Sequence, residues 1–308
     1  MTRSRSLLML LTGLGLSLVA AAVTSTHRRT IVGGRVADPR RYPYFVRLLY
    51  DDNVGCGGTL VWTDFVLTAA HCIYPGVDWR RITAVIENSD GEWQTSKIHR
   101  VVPHPVFDDD TDQYDVALLQ IDPVNDASFV RLATPDEFVL EPSDEVTVIG
   151  FGATTDEGDN SEVLREVGLQ VLDDRECSFQ YREGKIHFPS MICAADVELG
   201  GPCYRDSGGP LLVLGDDIAE ENVTQLDVQV GIVSFGGGRC GDPEQASVYS
   251  DVGHAQPWIE DEICRYSVAP PLNCESFDNN YTTSDAPPSR NMQICLVLLQ
   301  LVLCRVFL

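Results

Sequence analysis

The chain has 308 residues, 44% of them hydrophobic, enough to bury a sizeable core. Forty-six acidic residues against 22 Lys and Arg give a formal net charge of −24, which argues against a surface built for nucleic-acid phosphates or anionic lipid. Ten cysteines are too many for a typical cytosolic enzyme and imply an oxidising compartment in which disulfides persist.

The first segment reads as an address. Arg3 and Arg5 precede an apolar run from Leu7 to Val19, and Ala20 to Ala22 follow, as in a secretory signal peptide over residues 1–22. The alternative, an uncleaved anchor helix, has an apolar core short for a bilayer. Short β-branched or alternating runs come next: FVRLLY from Phe45, GTLVW from Gly58, DVALLQI from Asp115, VTVIGFG from Val146, LLVL from Leu211 and QVGIVSF from Gln229. Turn-forming Gly, Asp and Pro separate them, which predicts an all-β barrel or sandwich. Only HAQPWIEDEIC, from His254, reads as a helix, with proline near its first turn. The excess acid falls in loops, DDDTD from Asp108, TDEGD from Thr155 and GDDIAEE from Gly215, as solvated surface or as a lure for basic substrates. ENSDGE from Glu87 reads as an Asp-Gly turn rather than a calcium loop, and neither a metal nor a cofactor is expected. Asn222 and Asn280 begin N-x-T sequons, which permit glycosylation in a secreted chain.

Residues 267–291 are rich in Pro, Ser, Thr and Asn and read as a polar linker. The hydrophobic tail, 292–308, is too short to span a bilayer. Small residues at Ser284, Asp285 and Ala286 ahead of it fit a lipid-anchor attachment signal, although Arg305 interrupts the tail. Membrane attachment through the tail and an unprocessed tail therefore both stay open.

Chemistry concentrates in three places. A serine hydroxyl is a weak nucleophile that needs a base within hydrogen-bond reach, and histidine suits that task when a carboxylate fixes its tautomer. His71 in VLTAAHCIY, Asp115 in DQYDVALLQI and Ser207 in YRDSGGP are candidates. Spacing alone leaves them as candidates, because six histidines and many aspartates compete.

IVGG at Ile31, TAAHC ending at Cys72, DVALL at Asp115, DSGGPLL at Asp206 and VSFG at Val233 together carry a resemblance. In order and spacing they resemble the chymotrypsin-like (trypsin-fold) serine proteases, over Ile31 to about Cys264. The resemblance implies two antiparallel six-stranded barrels with the active site between them and a C-terminal helix. The protease unit would cover 31–266, with the barrel boundary near Glu141 and Pro142. It implies a triad of His71, Asp115 and Ser207, and an oxyanion hole from the amides of Arg205 and Ser207. It also implies disulfides Cys56–Cys72, Cys177–Cys193 and Cys203–Cys240. Cys264 and Cys274 fall outside that set and could pair with each other, while Cys295 and Cys304 lie in the tail.

Three departures from the family pattern stand out. Arg205 occupies a position usually held by glycine. It keeps the N–H that the transition state needs, and its side chain is expected over the leaving-group side of the cleft. Gly201 stands where trypsin-like members carry aspartate, so no carboxylate is expected at the pocket base. With Gly236 open and Ser247 narrowing the opposite wall, this predicts cleavage after aromatic or large aliphatic residues. Asp242 or Glu244 folding inward would instead restore basic specificity. The backbone of Ser234, Phe235 and Gly236 should pair with substrate as an added strand. Thirdly, Thr30 rather than a basic residue precedes Ile31, whose freed amine would pair with Asp206 after removal of a propeptide over 23–30. The expected partners are protein or peptide substrates and protein protease inhibitors, with no nucleic acid, for a secreted monomer. A catalytically silent protease-like binding module is the alternative.

Overall fold

The computed structural model describes residues 34–274 apart from 74–75, 88–91, 126, 137, 156–157, 159, 197–199, 216–226, 243 and 273. The signal, propeptide and Ile31 expectations, both sequons, the Asp-Gly turn and the hydrophobic tail lie outside the described residues.

Six strands close the first barrel: β2 (Phe45–Tyr50), β3 (Asn53–Trp62), β4 (Phe65–Thr68), β5 (Ile82–Glu87), β6 (Trp93–Pro103) and β7 (Ala117–Ile121). Their order is β2-β3-β4-β7-β6-β5, with β5 pairing back onto β2 through Val46↔Ile86 and Leu48↔Ala84. The β2–β3 hairpin turns on Asp51 and Asp52, both with positive φ (45° and 64°). That is the backbone a two-residue turn needs to match the right-handed twist of its strands, and Asp tolerates it better than most residues.

The second barrel runs through β9 (Glu145–Gly150), β10 (Arg165–Val171), β11 (Met191–Ala195), β14 (Ser247–Asp251), β13 (Val228–Phe235) and β12 (Pro210–Val213), and β12 returns to β9. Two short strands lie on it from outside: β1 (Arg35–Val36) against β10, and β8 (Arg131–Leu132) parallel to β13. Both six-stranded barrels are therefore present. Glu141 and Pro142 sit in the connecting segment just ahead of β9.

Two α-helices appear among the described residues, one more than the sequence predicts. The additional one, α1 (Asp174–Gln180), is seven residues long, too short for a readable apolar period. Its signal was at its start, where Asp173 accepts from Arg175 N at 2.9 Å as an N-cap and Asp174 and Glu176 fill the first turn. The second, α2 (Val252–Tyr266), begins two residues before the predicted start because Asp251 caps it, accepting from His254 N at 2.8 Å. Its buried Val252, Ala255, Ile259 and Ile263 share a core cluster with Phe65, Leu118 and Leu119 of the first barrel.

The segment read as a linker starts as a fastened loop. Cys264–Cys274 closes it, Ser267 Oγ donates to the buried Asp64 at 2.7 Å, and Trp62 Nε1 donates to Ala269 O at 2.8 Å. Its Pro-rich composition suits such a turn as well as a free spacer, so composition alone does not distinguish them.

Polar ties sew the barrels together. Asp227, fully buried, receives both Arg41 guanidinium nitrogens and the Tyr44 hydroxyl (2.7 Å), while Gly215 N donates to it at 3.0 Å. Thr59 Oγ1 donates to Gln229 Oε1 at 2.6 Å in the buried interface.

Candidate active site

His71 lies in a 3₁₀ turn, Ala70–Cys72, that ends the β4 segment, and the Cys56–Cys72 disulfide pins this turn to β3. Asp115 lies two residues before β7, which pairs with β4, so the two side chains come from the ends of neighbouring strands. The Asp115 carboxylate is fully buried and grips His71 twice, accepting from the backbone N at 2.8 Å and from Nδ1 at 2.6 Å. The second barrel completes its surroundings: Ser234 Oγ donates to Asp115 Oδ2 at 2.5 Å, and Ser250 Oγ to Asp115 O at 3.0 Å. A carboxylate that accepts these three hydrogen bonds is fixed in place and holds the imidazole in the tautomer with its proton on Nδ1. For His71, burial favours the neutral ring, but the Asp115 hydrogen bond and the charges of Asp115 and Asp112 outweigh it, leaving the pKa raised above 6.5.

Ser207 comes from the turn before β12. Its carbonyl accepts from Gly57 N of the first barrel at 2.8 Å. Gly208 follows at φ +78°, and a β-carbon there would overlap Thr68 Oγ1 and Gly57 O, so glycine alone lets the nucleophile turn approach the first barrel. No hydrogen bond links Ser207 to His71 among the described residues, but both line one cavity of about 370 Å³. The amides of Cys203, Asp206, Gly208 and Gly209 all have partners within the protein, whereas those of Arg205 and Ser207 have none among the described residues. The two uncommitted donors flank Asp206 in the turn that carries Ser207.

Arg205 adopts φ +74°, the left-handed backbone that explains the preference for glycine there. Its side chain is tied down, Nη1 donating to Asn160 Oδ1 at 2.6 Å.

Asp206 is buried against Gly152, where any β-carbon would overlap its carboxylate. Oδ1 accepts from Gly152 N at 2.8 Å and Oδ2 from Cys203 N at 2.9 Å. Burial nevertheless dominates and pushes its pKa up to about 6, the two amide hydrogen bonds pulling the other way.

Beside Ser207 opens a second cavity of about 300 Å³, to which Ser234, Phe235, Gly236 and Ser247 all contribute. Gly201 does not line it; its neighbours Gly200 and Pro202 do, and a β-carbon on Gly201 would lie 3.6 Å from Ser247 Oγ. Cys203–Cys240 joins two of its walls, and Cys177–Cys193 anchors α1 to β11. Asp242 also lines this cavity, with Arg239 Nε 3.7 Å from its carboxylate. The Ser234 hydroxyl bond to Asp115 adds a role to the substrate pairing expected of Ser234, and the serine before an aromatic in VSFG is its one sign in the sequence. Cys56, His71 and Cys72 have donor atoms close enough for a metal, but both sulfurs are spent in the disulfide.

The sequence profile of the Trypsin family matches residues 31–259. The chain belongs to the trypsin family. Serine protease 56 of Homo sapiens is 34% identical over 257 residues, covering 82% of this chain and 41% of that protein. Granzyme M of Homo sapiens is 37% identical over 203 residues, covering 64% and 79% respectively. The chain thus spans about two fifths of the length of the serine protease 56 proteins it matches. The solved structure of neuropsin, a serine protease of mouse brain, superposes with a TM-score of 0.63 at 24% identity, over 74% of this chain and 98% of that one, and shows the shared fold. In this trypsin-family member the motif residues His71, Asp115 and Ser207 therefore meet where the two barrels face each other.

Proposed function

We propose that this protein is a secreted serine endopeptidase, made as a zymogen, whose catalytic unit covers residues 31–266. The observation that carries the reading is the buried Asp115 carboxylate gripping His71 at both N and Nδ1, with Ser207 on the same cavity. His71 Nε2 takes the Ser207 proton as Oγ attacks the scissile carbonyl, and Asp115 stabilises the imidazolium that forms. The Arg205 and Ser207 amides hold the oxyanion. His71 then passes the proton to the departing amine, leaving an acyl-enzyme that water cleaves by the same steps in reverse order.

Cutting before Ile31 frees an amine to pair with Asp206, whose burial makes an unpaired charge costly there. The substrate strand pairs with Ser234–Gly236, and the 300 Å³ cavity takes an aromatic or large aliphatic side chain, because Gly201 behind its lining supplies no carboxylate and Asp242 on its wall faces Arg239. Asp242 favours a second reading, cleavage after Lys or Arg, if a substrate cation displaces Arg239 from it. The test is labelling of the processed protein with a fluorophosphonate, alongside profiling of a peptide library. Ser207 should label, Ser207→Ala should not, and cuts should follow Phe, Tyr, Leu or Met. An unlabelled wild type would favour the alternative, a catalytically silent binding module.

A further inference from the structure

The turn that carries Ser207 is tied to the loop between β9 and β10, residues 151–161. Ser161 N donates to Phe151 O at 3.1 Å and to Gly152 O at 3.0 Å, and Ala153 faces Asn160 in an antiparallel bridge, so the loop is closed on itself. Three consecutive residues of the nucleophile turn then bond to it. Tyr204 O accepts from Ala153 N at 2.9 Å, Arg205 Nη1 donates to Asn160 Oδ1 at 2.6 Å, and Asp206 Oδ1 accepts from Gly152 N at 2.8 Å. The first of these ties fixes the direction of one peptide. The Tyr204 carbonyl points at the loop, so the Arg205 N–H, trans to it across the same plane, points away from the loop.

The backbone of Arg205 works against this arrangement. Glycine adopts a φ of +74° freely, but an L-residue there is disfavoured by a factor of about five to thirty. Turning the Tyr204–Arg205 peptide over, the change that separates type I from type II turns, would bring Arg205 to a φ of about −100°, ordinary for any L-residue. It would also put the Tyr204 carbonyl where the Arg205 N–H now is, and break the bond to Ala153 N. Resting on the peptidase reading above, we propose that Asn160 is a positioning residue: by holding the Arg205 guanidinium, it keeps this peptide turned with its N–H toward the oxygen of the reacting carbonyl. The side chain that makes the backbone unfavourable thus also provides the handle that restrains it. Glycine at this position accepts both orientations and offers no handle. Asn160 acts through Arg205, not on the substrate.

The experiment compares wild type, Asn160→Ala and Asn160→Asp in the processed full-length protein, each alone and combined with Arg205→Gly, on one peptide that the wild type cleaves. Arg205 is exposed and Asn160 half-buried, so water screens their bond in part, and Asn160→Ala should lower kcat by about fivefold, the low end of the backbone cost. KM should change little, because the amide acts on charge that develops in the transition state. Asn160→Asp keeps an acceptor in the same place and should hold kcat near that of the wild type. Combined with Arg205→Gly, the two substitutions at Asn160 should give equal kcat, since no guanidinium remains to be held. The second readout is inhibition by a peptidyl trifluoromethyl ketone. Ser207 Oγ adds to its carbonyl carbon, the serine proton passes to His71, and the carbonyl oxygen becomes an oxyanion facing the same amides. Its affinity should fall in step with kcat in Asn160→Ala, and should not fall when that substitution is made on Arg205→Gly. A merely structural role for Asn160 would lower kcat equally on both backgrounds, and that result overturns the positioning proposal while leaving the peptidase intact. An unchanged kcat in Asn160→Ala does the same. A wild type that neither hydrolyses any peptide nor takes up fluorophosphonate overturns both.

Discussion

Replacing Asp206 by Asn in the uncut chain, on a Ser207→Ala background that prevents self-cleavage, isolates the titration of one buried carboxyl. Burial raises its pKa from the ordinary 3.8 to about 6. A rise of about two pH units corresponds to about 3 kcal/mol. Between those pH values the folded chain keeps a proton that the unfolded chain has released, so stability falls by about 3 kcal/mol as pH climbs from below 4 to above 6. Asn does not titrate, so the stability of wild type minus that of Asp206→Asn should fall by that amount over the same interval. Cutting before Ile31 introduces an ammonium that pairs with the carboxylate and draws its pKa down, and the fall should disappear. Urea unfolding at pH 4, 5, 6 and 7, on cut and uncut forms of both variants, measures the differences. A flat difference in the uncut chain would refute the burial argument. The same slope in both forms would refute the pairing of Asp206 with the new terminus.

Other perturbations test the remaining parts of the site and its frame. Arg41→Ala leaves the buried Asp227 with the Tyr44 hydroxyl and Gly215 N alone, and should cost about 3 kcal/mol in denaturant unfolding; a loss under 1 kcal/mol would show that this tie is incidental. Because His71 must be neutral to accept a proton and its pKa is raised, kcat/KM should fall as pH drops through a midpoint above 6.5. Asp112→Asn should move that midpoint down, and an unmoved acid limb would remove Asp112 from the electrostatics of the triad. Arg205→Gly suits the φ of +74° and should remain active with stability within about 1 kcal/mol. Glycolic acid at position 205, introduced by semisynthesis, puts an ester oxygen in place of the N–H while leaving the φ of +74° accessible, and should lose about 10²–10³-fold in kcat; equal rates in these two variants would exclude the amide from the oxyanion hole.

The legible parts of this protein were those in which one residue type performs one local task. Gly208 is required by its backbone, and His71 and Asp115 sit at the ends of apolar strand runs, so each shows in a short motif. Barrel strands announce themselves by alternation. What stayed hidden depends on pairs brought together from distant positions. Asp227 and Arg41 are 186 residues apart, and neither carries a local mark of its role. Asp112 reads as part of a solvated acidic loop until the fold brings Lys185 against it. Asp242 reached the cavity lining because its loop is tied back by Cys203–Cys240, a constraint that leaves the side-chain direction open. The motif identified the position of Gly201, but which neighbours form the wall depends on the path of the surrounding loop.

The strand that precedes the first barrel lies on the second, and the helix that follows the second barrel shares a core cluster with Phe65, Leu118 and Leu119 of the first. Each half thus keeps custody of the other's end, like two links each closed by a clasp on its neighbour. Severing the segment that joins β7 to β9 would leave two fragments still interlocked through β1, α2 and the Asp227 ties. A nick in the connecting segment would leave Ser207 and His71 on the same cavity, because the hydrogen bonds of Ser207 to Gly57 and of Ser234 to Asp115 join the barrels independently of that segment.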